Sequence, residues 1–153
     1  LFTPKMNISS TRQCVKILLR YKSTLKFKCS CGSEEKPLIL KNYELACRKC
    51  KKKYSLTNGT IFHNLRFGLL KAMRIIQKEY ANSFTTKSSQ IAKEFKITLK
   101  SSRLFLRKTR ANKKEVKKIL ELNYKISNAL KKQNIIERRM SEYYNQVINE
   151  ESK

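Results

Sequence analysis

Four of the chain's five cysteines fall within one short stretch, "CSCGSEEKPLILKNYELACRKC" (29–50), as Cys29-Ser30-Cys31 and Cys47-Arg48-Lys49-Cys50 with fifteen residues between the pairs. Little else in the chain restricts its folding so strongly. Thiolates two or three residues apart in a turn can reach one ion without backbone strain, and Zn²⁺ takes four of them tetrahedrally. Two disulfides, or buried free thiols, are the other ways to accommodate the same cysteines. A β unit of about 40 residues cannot bury enough apolar surface to stand by itself, so a bound ion supplies what the core lacks. The expectation is one structural Zn²⁺ held by Cys29, Cys31, Cys47 and Cys50, with no open coordination position. Cys14 lies outside the cluster and is expected to be a free thiol. His63, the single histidine, is expected at the surface or in a hydrogen bond rather than on the metal.

The second constraint is charge. The 153 residues carry 36 Lys and Arg against 11 acidic groups, a net charge of +25. A domain this basic repels itself unless it meets a polyanion, which makes nucleic acid the expected partner. An anionic membrane surface is the weaker alternative, because no apolar run approaches the roughly 20 residues of a span. The charge is uneven: residues 1–111 hold 26 basic and 5 acidic groups, and residues 112–153 hold 10 and 6. The polyanion should therefore meet the first two-thirds. Every acidic residue is Glu, and Asp is absent. Residues 1–33 contain no acid and read as a basic arm adding non-specific affinity. The stretch from Met6 also has the composition of an organelle transit peptide.

Along the chain, four segments emerge in a small α+β protein: a basic arm (1–26), a zinc ribbon of two short β-hairpins (27–67), a helical region (68–111) and a long amphipathic helix (112–153). In the ribbon, "PLIL" (37–40) and "YELA" (43–46) flank a Lys41-Asn42 turn, while "YSL" (54–56) and "TIF" (60–62) bracket Asn58-Gly59, a strong hairpin signal. From Leu69 the apolar period changes to about 3.6, with Leu69, Leu70, Met73, Ile75 and Ile76 on one side. Residues 85–110 give two further helices. Ser88 or Ser89 can cap the first, over Ile91, Ala92 and Phe95, and Thr98 can cap the second, over Leu99, Leu104, Phe105 and Leu106. The three residues Lys96-Ile97-Thr98 between them match helix-turn-helix spacing.

The block "ACRKCKKKYSLTNGTIFHNLRFGLL" resembles the insertion-sequence transposases that begin with a zinc ribbon, and their eukaryotic Merlin relatives. In that family a Cys-x-x-Cys leads to an aromatic-Ser and then Gly-Thr-Ile-Phe-His. Here those positions are Cys47, Cys50, Tyr54, Ser55, Gly59, Thr60, Ile61, Phe62 and His63. The likeness covers roughly residues 27–111, where an apolar helix and a helix-turn-helix follow the ribbon. The chain departs from the pattern at Lys96, where the family usually has a turn glycine, at Ala72, where it has Trp, and in the shortened first cysteine pair. The resemblance implies binding to the ends of a transposable element. The family's catalytic domain, which holds two divalent metals on Asp, Asp and Glu, has no counterpart in a chain without Asp, so no enzymatic activity is expected.

The leading expectation is therefore a double-stranded DNA-binding module without catalysis. Lys100, Ser101 and Arg103 stand at the start of the recognition helix, where side chains meet base edges, and Arg107, Lys108 and Arg110 stand where they would meet phosphates. A basic zinc-ribbon protein binding structured RNA, such as a ribosomal component, is the alternative. The DNA reading places the protein in the nucleus of a eukaryote, or in the nucleoid or cytoplasm of a bacterium, with mitochondrial import as a minor alternative. Residues 113–150 carry Val116, Ile119, Leu130, Ile136, Met140 and Tyr143 as a seam to be buried within the chain or against a second copy. Asn123, Asn134 and Asn145 interrupt that spacing, which does not support a strict heptad zipper.

Overall fold

The computed structural model describes residues 8–151, with side chains through Glu142. It is a small α+β protein of five helices and one three-stranded antiparallel sheet among the described residues. The first helix, α1 (Thr11–Ser23), is capped by Ser10, whose hydroxyl accepts from the Gln13 amide. It buries Cys14, Ile17, Leu18 and Tyr21, positions i, i+3, i+4 and i+7 of one helical face. Residues 11–23 are thus part of the core and not a basic arm. The stripe of Cys14, Ile17, Leu18 and Tyr21 lies within an acid-free segment whose composition alone resembles an arm.

The sheet has the order β1-β2-β3, from β1 (Leu38–Ile39), β2 (Leu45–Ala46) and β3 (Lys53–Tyr54). Leu38 pairs with Ala46 and Leu45 with Tyr54. The hairpin expected around Asn58-Gly59 does not form. The chain from Leu56 to Asn64 runs through consecutive turns, in which the Thr60 hydroxyl donates to Thr57 O at 2.7 Å and accepts from the Phe62 amide at 3.2 Å. Ile61 and Phe62 are each 1% exposed. Phe62 lies 6.4 Å from the Phe105 ring, and Phe105 stacks edge-on to Phe67 at 5.3 Å. Burying one such phenyl ring contributes about 1.5–3 kcal/mol, against about 0.5–1.5 kcal/mol net for a ladder bond. Glu115 then takes the Ile61 amide at 3.0 Å, which replaces the strand partner that amide would otherwise need.

The helical body follows: α2 (Leu69–Ala81), α3 (Ser88–Phe95), α4 (Leu99–Ala111) and α5 (Lys113–Glu151). Helix α2 buries Ala72, Met73, Ile75 and Ile76, and these join Ile17 and Leu18 of α1, Phe105 and Leu106 of α4, and Val116 and Ile119 of α5 in one hydrophobic cluster. The α3 N-cap is Lys87, with no side-chain cap, so neither Ser88 nor Ser89 serves as one. Thr98 caps α4 by accepting from the Ser101 amide at 3.1 Å. Lys96 ends α3 in left-handed geometry, φ 50° and ψ 55°, at a cost of about 1 kcal/mol for a residue with a Cβ. The α5 seam divides. Val116 and Ile119 are buried, Leu130, Ile136 and Met140 are each more than half exposed, and Tyr143 lies beyond the described side chains. Asn123 is buried and bonded through its carbonyl to Gln13 of α1. No described helix is long and apolar enough to cross a membrane.

Candidate metal centre and nucleic-acid interface

Two tight turns present the four thiols. In the first, the Gly32 amide bonds Cys29 O at 2.9 Å and the Cys29 amide bonds Ser33 O. Gly32 sits at φ +82°, a conformation a Cβ would oppose. In the second, the Lys51 amide bonds Cys47 O and the Cys47 amide bonds Lys52 O, each at 3.0 Å. The β2–β3 pairing sets the second turn at the end of the sheet. The sulfurs of Cys29, Cys31, Cys47 and Cys50 all lie within 4.8 Å of one another, with Cys29–Cys50 at 3.4 Å and Cys31–Cys47 at 3.7 Å. Zn–S bonds of about 2.3 Å in a tetrahedron place neighbouring sulfurs about 3.8 Å apart. The four cysteines are positioned to bind one metal ion, and the shortened first pair does not prevent it.

Local electrostatics favour the thiolate at Cys29 and Cys47 and oppose it at Cys50. The Cys31 backbone amide and the Tyr54 hydroxyl bring the Cys29 thiol down to about 6, and the Cys50 amide lowers Cys47. At Cys50 the Lys52 amide lowers the pKa, but the neighbouring thiols and burial outweigh it and raise the group to about 11. Such crowding is what a divalent cation relieves. Four thiolates around one divalent cation would leave a local charge of about −2, and Arg48, Lys49, Lys51, Lys52 and Lys53 are all exposed around the site. Cys14, by contrast, is fully buried in the helical core, where burial raises its thiol to about 11.

Sequence reasoning missed Tyr54 as part of this centre. Its hydroxyl lies 3.1 Å from Cys29 Sγ and accepts from the Ser30 amide at 3.2 Å, while its ring meets Phe27 edge-on at 5.6 Å. Hydrogen bonds to ligand atoms orient them and tune affinity. Tyr54→Phe keeps the ring and removes the hydroxyl, so metal stoichiometry should stay the same while affinity falls about tenfold or more. Titration against a competing chelator checks this.

The second candidate surface is α4. Ser102, Phe105, Leu106 and Thr109 face inward, and the Ser102 hydroxyl donates to Ser88 O at 2.8 Å, tying α4 to α3. On the opposite side, Lys100, Arg103, Leu104 and Arg107 follow at i, i+3, i+4 and i+7, all exposed, and with Leu99 they line a shallow depression. A second cleft of about 420 Å³ joins this face to the loop of His63, Asn64 and Arg66.

The six basic and polar residues expected on this interface are not equivalent. Lys100, Arg103 and Arg107 point outward. Ser101 is half-buried and bonded to the Thr98 cap. Lys108 donates to His63 O at 2.9 Å, pinning the loop to the helix. Arg110 is tied inward: its Nε donates to Glu79 Oε2 at 3.0 Å and its Nη2 to Thr86 O at 2.6 Å. It supplies the countercharge that Glu79, fully buried, needs, so it is less free to meet a phosphate than Arg103 or Arg107. His63 is exposed and away from the cysteines. No family model, curated protein or solved structure matches the chain.

Proposed function

We propose that this chain is a double-stranded DNA-binding module in which a zinc ribbon supports a helix-turn-helix formed by α3 and α4, without catalysis of its own, similar to the end-recognition region of a Merlin-type transposase. The observation that carries this reading is the outward stripe of α4, where Lys100, Arg103 and Arg107 stand exposed behind the three-residue turn at Lys96-Ile97-Thr98. A helix with a neutral or acidic outer face would offer DNA nothing, whereas this one adds local charge to a chain of +25. The N-terminal half of α4 presents Lys100 and Arg103, where base edges are met in the major groove. Arg107, one turn further on, suits a phosphate. Zinc is the metal proposed for the four thiolates because soft sulfur ligands at tetrahedral spacing select it over hard cations. A nuclear or nucleoid location follows from this reading.

The test is electrophoretic mobility against duplex DNA and structured RNA at matched salt. Duplex DNA should bind more tightly. A preference for RNA helices or for ribosomal particles would replace the proposal with the RNA-binding reading. Within the DNA reading, Arg103→Ala should cost about 1–3 kcal/mol on the preferred sequence and relax discrimination at one base pair. Arg107→Ala should weaken all sequences alike and reduce the salt slope by about 1. Binding isotherms over a range of salt separate the two, and a uniform loss for Arg103→Ala would move it to the backbone.

A further inference from the structure

Helix α5 has two parts. Up to Ile126 its apolar side is covered by α1, α2 and α4, with Ile119 fully buried and Ile126 8% exposed. From Ala129 to Glu142 every residue is exposed. The spacing nevertheless continues, with Gln133 as its one polar position before Met140. Ile119, Leu122, Ile126, Ala129, Gln133, Ile136 and Met140 succeed one another at alternating intervals of three and four, and Tyr143 and Val147 extend the same spacing in the sequence. This is a heptad, with Ile126, Gln133 and Met140 at a positions and Ala129 and Ile136 at d. Asn123 and Asn134 do not lie on this spacing: Asn123 bonds Gln13 inside the fold, and Asn134 occupies an outer position.

We propose that residues 129–147 form a parallel two-stranded coiled coil with the same segment of a second copy of this chain. Charge selects both the partner and the orientation. Residues 129–147 hold four basic and two acidic groups, so the pairing of two copies rests on how those charges face each other across the seam. In the parallel register Lys132 at g faces Glu137 at e of the partner helix, an attractive pair made twice by symmetry. In the antiparallel register Lys132 and Arg139, both at g, would line the same edge and repel. Gln133 at an a position supplies the polar pairing that sets register, and its amide donates to Glu137 Oε1 of its own helix at 3.0 Å, holding that carboxylate near the seam. The pairing does not depend on nucleic-acid binding.

Sedimentation equilibrium of the full chain, in the micromolar range and without nucleic acid, should give twice the monomer mass. Ile136→Glu with Met140→Glu should give a monomer with metal content and helix content kept, since both side chains are exposed in the single chain. Lys132→Glu alone and Glu137→Lys alone should each weaken association severalfold, and the two together should restore it. A monomeric wild-type chain overturns the proposal. So does a dimer unaffected by Ile136→Glu with Met140→Glu, or a charge pair whose double exchange fails to restore association.

Discussion

Removing the metal should unfold residues 27–54 and leave the helical body standing. The basis is a division visible in the burial pattern. Cys29, Leu45, Ala46 and Cys47 are buried, yet none belongs to the main hydrophobic cluster, which is built from α1, α2, α3, α4, α5 and the turn at 56–62. Three strands of two residues each make too few ladder bonds to hold a sheet without a core. A structural zinc ion supplies on the order of 10 kcal/mol in small modules, far more than this sheet has otherwise. Metal analysis of the purified chain should give one equivalent, and any one of Cys29→Ala, Cys31→Ala, Cys47→Ala or Cys50→Ala should abolish tight binding. Cys14→Ser should retain the full equivalent. After chelation, limited proteolysis should cut within 36–53 while most helical circular dichroism persists. A metal-free protein protected over those residues would exclude the metal as their organiser. Because ligation displaces thiol protons, affinity should also fall as the solution is acidified.

Arg110→Ala should cost about 3–5 kcal/mol of folding stability, the range expected when a buried ion pair loses one member. The carboxylate of Glu79, on α2, is 0% exposed. It accepts from the Thr86 amide at 3.2 Å and from Arg110, which reaches it from the last turn of α4. Without Arg110 the carboxylate keeps one amide and no countercharge. The reverse change should be milder, because the Arg110 side chain is 39% exposed and can turn to water. Glu79→Gln is expected to cost about 1.5–3 kcal/mol, the worth of a charge-assisted bond. Replacing both by Leu and Met should recover most of the loss, since packed apolar isosteres commonly equal a buried pair. Urea unfolding of the four proteins measures this. If Arg110→Ala left the unfolding midpoint in place and weakened nucleic-acid binding instead, its assignment to the interior would be wrong.

The second result bears on how α3 and α4 are held. The Glu79–Arg110–Thr86 cluster joins α2, the α2–α3 loop and α4, and the Ser102 hydroxyl on Ser88 O closes the same corner. The exposed stripe of α4 is thereby fixed relative to the rest of the body. Lys108 on His63 O adds the loop that follows the metal-binding unit.

The sequence by itself determined whatever depends on neighbours within a turn or two. The two cysteine pairs are local chelating turns, so their convergence was readable from spacing. The 3.6 period of α2, the Thr98 cap and the unbroken length of α5 are likewise rules of a single element. Tertiary structure decided the rest, because those features join residues that no local rule relates. Arg110 looks like any other basic residue of a basic helix until Glu79, thirty-one positions earlier, is found buried beside it. The Asn58-Gly59 signal was overridden because Phe62 gains more against Phe105 than a strand partner could offer. The α1 stripe acquired meaning only when α5 and α2 covered it. The same packing covered one half of the α5 heptad and left the other half to the solvent, because the helical body ends before α5 does.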